Sequence, residues 1–396
     1  MFEANAEWVS LLAISITLVG FGFWPRLRQR CEAPVSVFAP LNMLTQLSVV
    51  LLCAVVVGSP AVGSRVAWWE VAARVEWGPR TLAIVLGGFV LGHGDNLGCI
   101  AFEFIPTAVA YPTYSGISLA GGELMNYAIV GSSTPTYLFA GLGFLLLAIA
   151  LLTAAQAAIE TAPEMPDRPS WVRNSADLVD GGAFAGGFAT DSDASDSTST
   201  SPGGLDLALL PPDDEHGSIQ AARDACAAKA VPPPLNQRSA FGICVATGVL
   251  AALWSPLSTF GRRGGRGVHD AYVTALLFQL GQACAIPSVC VLASRATRSG
   301  VVAPWRRASG ATVRAGMLCG VSVGCGYCGY FYATTLGRLE PTVALGIAAS
   351  NPLVAIFIDV FVERSFSRAP AKAKALLGAC VGSYAAAIAI LATRTK

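Results

Sequence analysis

The chain has 396 residues, 54% of them hydrophobic and only 13% charged, with a net charge of +1 and a mean hydropathy of +0.56. Soluble domains carry about one-quarter charged residues, so this balance excludes an ordinary soluble globule and points to the bilayer as solvent. The near-neutral net charge by itself names no partner.

A helix that crosses the hydrocarbon needs about 20 mainly apolar residues. Runs of that kind are predicted at 8–25, 36–58, 81–103, 107–130, 135–157, 240–260, 271–294, 313–335, 341–362 and 373–393. The fold class expected is therefore an all-α polytopic membrane protein with ten transmembrane helices. Its parts are a five-helix half at 1–157, a polar segment at 158–238 and a second five-helix half at 239–396. Glu3 and Glu7 precede the first apolar run and no basic residue does, so the positive n-region of a cleavable signal peptide is missing and the first helix is expected to be retained.

Helix one ends in Gly22-Phe23-Trp24-Pro25, with Arg26, Arg28 and Arg30 behind it. Helix three carries Gly92-His93-Gly94, then Asp95, Asn96 and Glu103, and helix four opens on Pro106-Thr107 and holds Glu123 and Asn126. Segment 158–238 scatters Asp and Glu through Ser, Thr, Gly and Pro, the composition of a disordered acidic loop. Its Gly181-to-Phe188 stretch lacks the Lys-Ser/Thr of a phosphate loop. Helix six ends in Leu253-Trp254-Ser255-Pro256, helix seven holds Gln279 and Gln282, and helix eight carries Gly324-Cys325-Gly326. Helix nine opens on Pro341-Thr342 and holds Asn351 and Asp359.

The two halves correspond in order. Trp24-Pro25 matches Trp254-Ser-Pro256, the Gly-rich middle of helix three matches that of helix eight, and the Pro-Thr start of helix four matches that of helix nine. An odd number of spans per unit makes the second unit enter from the opposite face, so a 5+5 inverted repeat is expected, with a ligand site near the midplane between the halves. Lys and Arg concentrate after helix one, between the halves, from Arg295 to Arg314 and from Arg364 to Lys374. The positive-inside rule then puts both termini outside and the central loop in the cytoplasm.

Polar groups inside a bilayer cost several kcal/mol and mark cavities or partners. His93 and Asn96, three residues apart on one helix face, can together hydrogen-bond a polar ligand. Asn126, Gln279 and Asn351 are further substrate contacts, and Trp24 and Trp254 can stack on a planar ligand from symmetric positions. Glu123 and Asp359 lie at nearly the same depth after their Pro-Thr starts, which suits them to proton coupling. The Cys325-to-Cys328 pair has metal spacing, but no second pair or neighbouring His completes it, so no metal and no cofactor is expected. No nucleophile or cofactor motif argues for an enzyme.

Phe23-Trp24-Pro25 with its basic loop, the Gly-rich helix three running into Asn96-Leu97, Asn126-Tyr127, Trp254-Ser-Pro256-Leu257, Pro352-Leu-Val and Glu363-Arg364-Ser together resemble the ureide permease family of the drug/metabolite transporter superfamily. The resemblance covers both halves. It implies a drug/metabolite-transporter-like secondary carrier that takes up allantoin, uracil and related heterocycles with protons. Asn96 and Asn126 match the family pattern best, and Glu363 follows the acidic residue that closes helix nine. The chain departs from that pattern where Tyr111-Pro112 stands inside helix four in place of a Thr-Glu pair. Carriers of sugars, nucleotide sugars or amino acids from related branches are the alternative, and a non-transporting scaffold or receptor is a third reading. The expected partners are the lipid bilayer, a small-molecule substrate, protons and a second copy in a homo-dimer, with no nucleic acid; the expected location is the plasma membrane.

Overall fold

The computed structural model describes residues 2–31, 33–58, 67–104, 107–131, 135–160, 237–263, 270–297, 302–335, 339–348, 350–358 and 369–393. Among these the structure is all-helical. The first half contains α1 (Phe2–Arg30), α2 (Val35–Val57), the short α3 (Trp68–Ala73), α4 (Pro79–Phe104), α5 (Thr107–Val130) and α6 (Pro135–Glu160). The second contains α7 (Gln237–Ala252), α8 (Trp254–Arg262), α9 (Ala271–Thr297), the short α10 (Val302–Arg307), α11 (Gly310–Thr335), α12 (Pro341–Ala348), α13 (Pro352–Phe357) and α14 (Ala371–Thr393). Almost all of the central polar segment, from 161 to 236, lies outside the described residues.

Six described stretches are long and apolar enough to cross a membrane: Val35–Val57, Pro79–Ala101, Pro135–Ala155, Arg238–Arg262, Ala271–Ala296 and Ala371–Leu391. Large aliphatic side chains such as Leu12, Leu52, Val56, Leu82, Val249 and Leu318 stand exposed on the outside of the bundle. A soluble protein would bury them; a membrane protein turns them to lipid. α5 and α11, with 24 and 26 residues, reach about 36–39 Å and could span as well, but Gly, Ser and Tyr dilute their apolar character.

Three helices differ from expectation in an instructive way. α1 does not stop at Pro25 but runs on to Arg30, and the Arg28 guanidinium donates to the Cys31 carbonyl at 2.8 Å to close its end. The sixth predicted helix is interrupted at Leu253, so that Trp254 begins α8. The ninth breaks into α12 and α13, because Pro352 has no N–H for the ladder and disfavours helical geometry in the residue before it. At this break Ser350 and Asn351 make short turn bonds to Ile347 and Ala348, at 3.0 and 3.2 Å. Asn351 is thereby placed off the regular helix.

The packing pairs run in matched sets. α1 packs along α11, while α4 packs along α7 and α8; α2 packs on α11, while α4 packs on α9. α5 meets α7 as α12 and α13 meet α1, and α5 meets α6 as α12 meets α14. The α2–α9 and α6–α14 contacts join elements that hold the same place in chain order on either side of the central segment.

Glycines make this close approach. A methyl group built on Gly92 of α4 would lie 3.2 Å from the Gln282 Cα of α9, and one on Gly324 of α11 would lie 3.2 Å from the Gln46 Cα of α2. One turn earlier, Gly88 faces the Phe278 carbonyl, and Gly320 faces the Asn42 carbonyl at 2.6 Å. Small residues let backbones touch where dispersion and polar contacts, and not water exclusion, hold helices together in lipid.

Candidate ligand cavity

A cavity of about 110 Å³ lies in the middle of the bundle and draws its walls from both halves. From the first come Phe21 and Trp24 on α1, Leu91 and Asp95 on α4, and Tyr111, Tyr114, Ser115, Ser118 and Leu119 on α5. From the second come Trp254 at the start of α8, Val323 and Tyr327 on α11, Leu345 and Ala348 on α12, and Asn351 at the helix break.

Asp95 is the one carboxylate on the described wall, and no described Lys, Arg or His lines it. The Tyr114 hydroxyl donates to Asp95 Oδ1. Tyr327 lines the same cavity from the other half, its phenol facing the Asp95 carboxylate with the buried Gln282 side chain beside it. Tyr111 donates to Asn351 Oδ1 at 2.7 Å, which occupies the amide oxygen and leaves the amide nitrogen as the group with hydrogens to donate. Acceptor and donor are thus set among aromatic rings. The Trp24 ring lies 6.0 Å from Tyr111, and the Trp254 ring lies 5.0, 5.5 and 6.1 Å from Tyr330, Phe278 and Tyr327. Phe21 packs edge-on against Tyr327 at 4.9 Å. Such tilted and T-shaped contacts lock the rings in place.

The structure brings three of the residues singled out from sequence to this cavity: Trp24, Trp254 and Asn351. Five described ones lie elsewhere. His93 projects to α9, with Nε2 2.8 Å from Ser288 Oγ and Nδ1 2.9 Å from the Phe89 carbonyl of its own helix. Asn96 donates to the Gly92 carbonyl at 2.9 Å and is buried. Asn126 is buried against α8, donating to Ser255 Oγ at 2.8 Å, and Ser255 in turn is 3.2 Å from the Tyr330 hydroxyl. Gln279 is fully buried on α9, with neither amide atom hydrogen-bonded among the described residues. Glu123 is buried on α5 beside Gly346, with Tyr330 in its field, and is not among the lining residues. Asp359 and Glu363 lie outside the described residues.

The lining residues not selected from sequence include the polar group Asp95, Tyr111, Tyr114 and Tyr327. A signal for two of them was present. If Gly92 and Gly324 are equivalent, the residue three further on is Asp95 in one half and Tyr327 in the other, so a site between the halves would bring this pair together.

No family model matches the chain, and no curated protein matches it.

Proposed function

We propose that this chain is a secondary active transporter with ten spans in a 5+5 inverted repeat of the drug/metabolite-transporter type, and that it takes up small polar heterocycles with protons. The observation that carries the reading is the central cavity, walled by Trp24 and Trp254 from the two halves and furnished with an acceptor at Asp95 and a donor at Asn351. A planar ring bearing N–H and C=O groups fits between such indoles and such polar groups. This chemistry is what the ureide permease resemblance implies, with allantoin and uracil as the type substrates.

The matched packing sets and the paired glycines support the inverted repeat, because they recur between elements that hold the same place in each half. A broken helix contributing a residue to a midplane site is a recurring device of such carriers. An orientation with both termini outside and the central segment in the cytoplasm, in the plasma membrane, follows from the distribution of Lys and Arg. Sugars are the second cargo class, favoured by one specific observation: indole faces flanked by Ser118, Asn351 and Asp95 also suit a polyhydroxylated ring. The lack of Lys and Arg on the described wall counts against nucleotide sugars.

The test is uptake into proteoliposomes of labelled uracil, allantoin, glucose and UDP-glucose, each with and without an inward proton gradient. Saturable, gradient-stimulated uptake of uracil or allantoin is expected. Gradient-independent glucose uptake alone would replace the heterocycle reading with the sugar reading, and no uptake of any probe would end the transporter reading.

A further inference from the structure

We infer that Asp95 is the proton-coupling group of this site and that Tyr327, reaching it from the other half, is the positioning residue that links its protonation to the arrangement of the halves. The inference rests on the transporter reading above and names the coupling device within it.

The cavity's electrostatics are simple. Asp95 is the one acidic side chain on the described wall, and no basic side chain there offsets it. A carboxylate in such a place persists only if hydrogen bonds or a counter-charge support it. Support comes from the Tyr114 hydroxyl on α5, which donates to the carboxylate, and from the Tyr327 phenol on α11, which faces it across the cavity.

The titratable neighbours can be named element by element. α5 contributes Tyr111 and Tyr114, α11 contributes Tyr327 and Cys319, and α4 itself contributes Cys99, whose thiol donates to the Asp95 carbonyl at 3.2 Å. On α7, Cys244 donates to the Ala110 carbonyl. α8 and α9 contribute Trp254 and Gln282, which do not titrate, and His93 is held by Ser288 on α9. Arg28, on α1, is committed to the Cys31 carbonyl and the Phe38 ring.

Carboxyl chemistry then provides the coupling. An ionised carboxylate only accepts, so the two phenols satisfy it and close the cavity's polar circuit without a ligand. A protonated carboxyl has one O–H to donate and needs an acceptor. A ligand carbonyl in the cavity provides it, and the Tyr327 hydroxyl retains Gln282 as an alternative partner. Proton and ligand therefore enter together, and the Asp95–Tyr327 bridge between the halves weakens when they do. The proton arrives from water on one side and leaves Asp95 to water on the other; no covalent bond is made.

The experiment uses the full-length protein in proteoliposomes and in detergent. Asp95→Asn keeps a donor and an acceptor at the same place but cannot ionise. Counterflow exchange of preloaded uracil or allantoin, which needs no gradient, is measured for each variant as its own reference, and Asp95→Asn is expected to lose the response of net uptake to a proton gradient relative to that reference. Asp95→Glu, which restores an ionisable group, is expected to recover part of that response. Tyr327→Phe is expected to keep a proton response but to shift its pH profile. Infrared difference spectra of the purified protein between about pH 5 and about pH 9 should show a carboxyl band that Asp95→Asn removes.

Gradient-driven uptake unchanged in Asp95→Asn, or a carboxyl band that survives the substitution, overturns the assignment while leaving the transporter reading standing. A band removed by Asp95→Asn in a protein that carries no probe keeps Asp95 as a proton site and overturns the transporter reading instead. If Asp95→Asn does not fold, as judged by its thermal transition, the wild-type and Asp95→Glu spectra decide: an identical carboxyl band in both overturns the assignment, and a displaced band supports it.

Discussion

Replacing Gly320 by alanine puts a methyl group 2.6 Å from the Asn42 carbonyl oxygen and 2.6 Å from the Thr45 Cβ. Ordinary contact begins at 3.4 Å, so α2 and α11 must part by about 0.8 Å at that level, and a carbonyl of a regular helix cannot swing aside as a long side chain can. Gly88→Ala strikes the equivalent obstacle on the other side, the Phe278 carbonyl of α9, with Gln282 N 3.1 Å away. Gly242, exposed and with nothing within 4 Å, supplies the control. All three substitutions gain about 0.8–1 kcal/mol of helix propensity, but only the first two pay an overpacking penalty of about 1–3 kcal/mol. Gly88→Ala and Gly320→Ala should therefore melt below wild type or near it, and both below Gly242→Ala by that penalty. Thermal unfolding of the purified proteins in one detergent, followed by tryptophan fluorescence, measures the order. If Gly88→Ala or Gly320→Ala is as stable as Gly242→Ala, the close α4–α9 and α2–α11 contacts are wrong, and the matched packing that supports the repeat falls with them.

Trp24→Ala and Trp254→Ala should each weaken ligand binding by about 1–3 kcal/mol, roughly 5- to 150-fold in KM, as expected for loss of a stacking face; an unchanged KM for uracil and allantoin in both would remove the indoles from the site. Trp254→Ala should also lower thermal stability, since it loses ring contacts to Phe278, Tyr327 and Tyr330. Glu123→Gln tests the carboxyl favoured by sequence: with Asp95 as the proton carrier, the gradient response of uptake should persist, and its loss in Glu123→Gln with retention in Asp95→Asn would move the proton to Glu123. His93→Gln, which can still reach Ser288, should transport with the wild-type pH profile, whereas a changed pH profile would place His93 in the coupling pathway.

Much of the helical frame was legible because membrane spans are written in long apolar runs that composition alone reveals. The runs at 107–130 and 271–294 begin where α5 and α9 begin. The ends were harder to read. Pro25 lies inside α1 because a single missing N–H does not stop a helix whose next turn is closed by Arg28, whereas Pro352 interrupts its helix and leaves Asn351 at the gap. The cavity was legible in its indoles and in Asn351, and illegible in its tyrosines, because a tyrosine on a helix face reads the same whether it fills a core or lines a hole. His93 shows the opposite case. A rare ionisable residue in a span marks a polar partner, but its sequence cannot say whether that partner is a ligand or, as here, a serine on the next helix.

The pairing of Asp95 with Tyr327 bears on why a repeated architecture would carry an unequal site. In the repeat we propose, Gly92 and Gly324 are equivalent, so the aspartate and the tyrosine three residues beyond them hold equivalent places and meet across the cavity. Identical residues there would face each other. Two carboxylates would repel in a medium that screens little, and two phenols would leave no group to take up a proton. An acid opposite a phenol avoids both outcomes, since the phenol donates to the anion and can turn to Gln282 when the acid is protonated. Tyr114, on the same half as Asp95, keeps one donor on the carboxylate throughout. The symmetric parts, glycines and indoles, would then let the halves rock as equals, while the unequal pair makes that motion depend on a proton. Exchanging the two, with Asp95→Tyr and Tyr327→Asp in one protein, should accordingly preserve a proton response that Asp95→Tyr alone abolishes, provided the melting temperature of the double variant stays near that of wild type.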